Sequence, residues 1–123
     1  MTKILLVDDD PFQAFVRKST LETRFQNVER VSDAAEALCL VEQPQFASGL
    51  RLVITGLQRP GIGGPAFVAE LHSRLPKVPV LVLGAPSEVA GDYTADGVRF
   101  LSRPFASEEL LSLASQMITP NGH

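Results

Sequence analysis

Three consecutive aspartates, Asp8, Asp9 and Asp10, follow an apolar run in "KILLVDDDP". Carboxylates in such a cluster carry charge and accept hydrogen bonds, and the last of them, directly before Pro11, reads as a helix N-cap. Three further stretches end an apolar run on residues that could do chemistry or conspicuously could not. "LRLVIT" ends on Gly56, "VLVL" on Gly84 and Ala85, and "VRFL" on Ser102, Arg103 and Pro104. Arg103 offers a planar, permanently charged guanidinium. Gly56 offers no side chain, hence neither nucleophile nor ligand. Elsewhere, His72 falls on an exposed helix face, and Ser87 reads as a helix cap. "PGIGGP" reads as a loop whose glycines serve turns. No nucleophile–base pair, Cys/His metal set or phosphate-cradling glycine motif emerges.

The elements that must position these residues follow from hydrophobic periodicity. "KILLVD", "NVERVS", "LRLVIT", "VPVLVLG" and "VRFLS" are short apolar runs of buried-strand length. Helical spacing separates them. It places Phe12, Phe15, Val16 and Ser19 on one face of a first helix, and Ala34, Ala37, Leu38 and Val41 on one face of a second. Phe67, Val68, Leu71 and Leu75 face inward from a third, and Leu110, Leu113, Ala114 and Met117 from the last. The segment "APSEVAGDYTADG" is the weakest helix, thin in apolar residues and interrupted by Gly91. Five strands alternating with five helices predict a doubly wound parallel sheet covered on both faces. In such sheets ligands bind beyond the carboxyl ends of the strands, where the aspartates, Gly56, Gly84 and Arg103 fall.

Bulk properties bound the partners. With 123 residues, 45% of them hydrophobic, the chain suits one core. Residues 1–118 read as the domain and 119–123 as a polar tail or the start of a linker. A net charge of −3 without a Lys/Arg cluster gives no footprint for nucleic acid or an anionic membrane. No apolar run reaches spanning length, and the N-terminus lacks signal-peptide form, so the cytoplasm is expected. The single cysteine, Cys39, has no second cysteine to pair with and reads as a small helix residue.

The order of elements, with "LLVDDDP" after strand one, "LVITGLQRPGIGG" after strand three and "FLSRPF" after strand five, resembles the receiver domain of two-component response regulators. The resemblance covers essentially the whole chain. It implies the flavodoxin-like (CheY-like) fold, with the fourth helix short or irregular because the Gly84–Arg103 interval is about one helical turn shorter than the family's. It also implies that Asp8 and Asp9 hold the positions of a Mg²⁺-binding acidic pair. Gly56 holds the position of the phosphoacceptor aspartate, and Gly84 that of a Thr or Ser contacting the phosphoryl group. Arg103, before an expected cis Pro104, holds the position of a lysine, and Phe100 that of the switch aromatic.

These departures set the functional expectation. Without a carboxylate at 56, aspartyl phosphorylation there is excluded, and Thr55, one position away on a strand, points to the opposite face. Mg²⁺ binding by Asp8 and Asp9 is expected to be vestigial, with no other cofactor and no catalysis. Losing one of three crowded carboxylates relieves repulsion of about 3 kcal/mol per pair at ~5 Å and an effective dielectric of ~20. Two readings of Arg103 stand: it reaches solvent, or it pairs with Asp8 or Asp9 in place of the missing metal. Phe100 is expected to hold one orientation. The reading is a phosphorylation-independent receiver acting by protein–protein interaction with a sensor kinase, an effector, or itself as a homodimer through the fourth-helix, fifth-strand and fifth-helix face. The alternative is a small-ligand sensor using space vacated at Gly56 and Gly84.

Overall fold

A computed structural model describes residues 3–56, 64–84 and 97–118. The strands are β1 (Lys3–Val7), β2 (Asn27–Val31), β3 (Leu50–Thr55), β4 (Val80–Gly84) and β5 (Val98–Ser102). The helices are α1 (Pro11–Glu22), α2 (Ala34–Val41), α3 (Pro44–Ala47), α4 (Gly64–Arg74) and α5 (Ser107–Ile118). The weak helical segment read between Ala85 and Gly97, the loop around Pro60 and the polar tail lie outside the described residues.

The five strands pair in parallel in the order β2-β1-β3-β4-β5. The order reverses at β1 and β3, which makes their carboxyl ends the switch point. Alternation along each strand divides the interior in two. Leu5, Val7, Val53, Val80 and Val82 join α2 and α4 in one cluster, with Ala37, Val41, Phe67 and Leu71. Ile4, Leu6, Leu52, Ile54, Leu81 and Leu83 join α1 and α5 in the other, with Leu21, Leu110, Ala114 and Met117. The same parity sends Asp8 and position 56, two residues beyond Leu6 and Ile54, toward the α1/α5 side.

Several helix faces match their periodicity. α2 buries Ala34, Ala37 and Val41, α4 buries Phe67, Val68 and Leu71, and α5 buries Leu110, Leu111, Ala114 and Met117. Leu38, Leu75 and Leu113 pack at the edges of these clusters. The single-turn α3 has no counterpart in the strand–helix alternation; Pro44 starts it, and its Phe46 packs against the first cluster.

α1 reverses the expected amphipathic face. Its large apolar residues Phe12, Phe15 and Val16 point outward, 71%, 70% and 42% exposed, and the buried residues are Ala14, Arg17 and Leu21. Asp10 caps this helix as expected, its Oδ1 accepting hydrogen bonds from Phe12 N at 2.9 Å and Gln13 N at 3.1 Å.

Candidate functional site

The carboxyl end of β1 places Asp8 at the switch point with a relative exposure of 0%. A carboxylate taken fully from water needs donors on both oxygens. Asp8 Oδ1 accepts from Asp10 N at 3.0 Å, and Oδ2 accepts from Arg17 Nη1 at 2.7 Å. Both partners of this ion pair are buried, with side-chain exposures of 5% for Arg17 and 0% for Asp8. The main chain is anchored too: Asp8 N donates to Val31 O at 3.0 Å, and its carbonyl accepts from Arg30 Nη2 at 2.9 Å.

Opposing influences act on the Asp8 carboxyl. Burial is the largest and pushes its pKa above the ordinary value, and the nearby Asp9 pushes the same way. The Asp10 N–H and the Arg17 guanidinium hold it down without overcoming burial.

Gly56 follows β3 beside this pair, its N donating to Val7 O at 2.7 Å. A Cβ built at position 56 would overlap Arg17 Nη1 and stand 3.4 Å from Asp8 Oδ2. The guanidinium therefore occupies the space that any side chain at 56 would need. The vacated space expected beside Gly56 for a small ligand is accordingly filled by Arg17.

This also corrects the expected role of Arg103. The cation on Asp8 comes from α1, not from the end of β5, and among the described residues no carboxylate forms an ion pair with Arg103. Arg103 is itself half-buried, with its Nε buried and without a hydrogen-bond partner. Its main-chain N donates to Gly84 O at 2.8 Å, tying the ends of β4 and β5 together, and the Arg103–Pro104 bond is cis. The structure thus gathers Asp8, Gly56 and the unforeseen Arg17 at one point, with Gly84 and Arg103 meeting through the main chain alongside. Half-buried Phe100 packs against the cluster under α2 and α4. Thr55 is buried at 5% exposure, His72 is half-buried on α4, and Cys39 is exposed on α2. Ala85 and Ser87 lie outside the described residues.

Arg17 was missed because its signal is a contradiction within α1. Ala14, Arg17 and Leu21 share a helical face that is less apolar than the face of Phe12, Phe15 and Val16. Only the need to neutralise a buried Asp8 favours it. Among the described residues no group of three His, Cys, Asp or Glu side chains could hold a metal ion. No helix among them is long and apolar enough to cross a membrane.

Comparison with known proteins agrees with this architecture. The response regulator receiver domain family matches residues 4–115. The C4-dicarboxylate transport transcriptional regulatory protein DctD of Pseudomonas aeruginosa is 27% identical over 113 residues, covering 89% of this chain and 24% of that protein. The response regulator MprA of Mycobacterium sp. (strain KMS) is 31% identical over 113 residues, covering 89% of this chain and 47% of that protein. The chain therefore spans about a quarter to a half of the length of these relatives. Among solved structures, a response regulator receiver domain protein from Clostridium thermocellum superposes with a TM-score of 0.86 at 22% identity, covering 97% of this chain and 95% of that one. The receiver domain of the hybrid histidine kinase CckA superposes with a TM-score of 0.77 at 27% identity, covering 94% and 98%. With the 2-1-3-4-5 sheet, its acidic switch point and a match over nearly the whole chain, the protein belongs to the response regulator receiver domain family of two-component signalling.

Proposed function

We propose that this receiver domain works without phosphorylation, through protein–protein contact, and that an internal arginine permanently holds the place where a phosphorylatable carboxylate and its cation would meet. One observation carries the reading: Arg17 Nη1 bonds Asp8 in the space beside a residue with no side chain. Magnesium demands an octahedral set of oxygen ligands, usually including several waters. Here both Asp8 oxygens already accept N–H donors, position 56 contributes no ligand, and a positive guanidinium stands alongside. This donor set does not fit a Mg²⁺ ion, so Asp8 serves the domain as the partner of protein groups.

The outward face of α1 supports protein contact as the output. Phe12, Phe15 and Val16 place large apolar groups in solvent at helical spacing, the arrangement by which a helix face anchors a partner. A sensor kinase, an effector or a second copy of the domain could meet this face in the cytoplasm.

Intact-mass measurement after incubation with acetyl phosphate and Mg²⁺ tests the reading. The expected outcome is an unmodified chain and an unchanged melting temperature. A stoichiometric phosphoryl adduct would overturn it.

A further inference from the structure

A groove of about 470 Å³ runs between α1 and the β5–α5 connection, with Arg17 but not Asp8 in its lining. That volume lies within the roughly 300–1,000 Å³ of pockets that take small molecules. Its lining is chemically lopsided: Arg17 and Arg103 contribute two guanidinium groups, Val16, Phe105 and Leu110 contribute apolar surface, and among the described residues no carboxylate lines it. The Arg17 charge is already matched by Asp8 and lies over the Phe105 ring, 5.8 Å from its centroid. The Arg103 charge has no ion-pair partner among the described residues, and its buried Nε donates to nothing. A buried donor without an acceptor is exceptional in a folded protein.

We propose that this groove binds a small organic anion, a carboxylate or phosphate monoester on a compact apolar body. The anionic group accepts from the Arg103 guanidinium, whose planar fork suits two oxygens at once. The apolar body lies against Phe105, Leu110 and Val16. The site is separate from the space beside Gly56, which Arg17 fills, and it depends on neither the presence nor the absence of phosphotransfer. Because Arg17 bonds Asp8 and also lines the groove, an anion in the groove also competes for its remaining N–H donors.

Amide chemical shifts of the isotopically labelled chain, titrated with phenyl phosphate, test the proposal, with inorganic phosphate and benzyl alcohol as headgroup-only and body-only probes. Expected are saturable shifts at Val16, Arg17, Phe105 and Leu110, with affinity about tenfold or more above either partial probe. Arg103→Gln should weaken phenyl phosphate by about tenfold or more, while Arg103→Lys retains part of the affinity. Gln13→Trp, which fills the groove from α1 without touching Arg103, should abolish the shifts and guards against misfolding of the Arg103 variants. The proposal is overturned by the absence of saturation, by equal binding of inorganic phosphate or benzyl alcohol, or by undiminished affinity in Arg103→Gln or Gln13→Trp.

Discussion

α1 and α5 lie on the same face of the sheet and are both 12 residues long, yet they solve opposite problems. α5 buries Leu110, Leu111, Ala114 and Met117 and behaves as an amphipathic helix should. α1 buries Arg17 between Ala14 and Leu21 and leaves two phenylalanines in water. Area burial favours the α5 arrangement, at about 25 cal/mol per Å² of apolar surface removed from water. What opposes it in α1 is Asp8, because an unpaired buried charge costs several kilocalories per mole, comparable to what burial of two aromatic side chains would gain. A helix over a hydrophobic sheet is oriented by its apolar stripe, whereas one over a buried carboxylate can be oriented by its cation.

The largest test breaks that cation. Arg17→Met should lower stability at neutral pH by about 3–5 kcal/mol, because it strands a buried Asp8. The loss should shrink on acidification. Burial already raises the Asp8 pKa in the folded state, and removing Arg17 raises it further. The folded chain then binds a proton at higher pH than the unfolded chain does, so stability falls as pH rises through the folded value and recovers below it. Adding Asp8→Asn to Arg17→Met should restore much of the deficit at neutral pH. Chemical denaturation of the four proteins across acid and neutral pH reads the coupling directly, and additive losses in the double variant would contradict it.

A smaller effect is expected from the opposite side of the pair. Gly56→Ala adds a methyl where Arg17 Nη1 stands, and forcing the guanidinium away from Asp8 should cost about 1–3 kcal/mol. In an Arg17→Met background the obstructing charged group is gone and most of that cost should vanish, as denaturant midpoints would show.

The smallest effect sharpens the contrast between the helices. Phe12→Ser and Phe15→Ser should each change stability by less than about 0.5 kcal/mol, since both side chains are mostly in water. Leu110→Ala on α5 should cost about 2–5 kcal/mol in the same assay. If Phe15→Ser proved as damaging as Leu110→Ala, α1 would be packed the other way round.

The strands were legible because parallel sheets buried on both faces need continuous apolar runs, and "ILLV", "LVI" and "VLVL" supply them. α2, α4 and α5 were legible because apolar spacing alone decides which side they bury. α1 was not, since its orientation depends on a charge nine positions earlier and on the missing side chain of Gly56, and hydrophobic periodicity contains neither term. The same blindness left Arg103 as the one cation weighed for Asp8 or Asp9, against the reading in which it reaches solvent, while the buried pair formed with Arg17. α3 escaped notice because one turn of helix leaves too little pattern to separate from a loop.

The guanidinium beside Gly56 has a consequence for how the domain can change over time. A carboxylate introduced at position 56 would be delivered directly to Arg17, whose Nη1 stands where its Cβ would be built. Removing Arg17 first would leave Asp8 stranded and the fold weakened. Substitutions at positions 56 and 17 are therefore coupled: the side chain that position 56 can carry depends on whether Arg17 still holds Asp8.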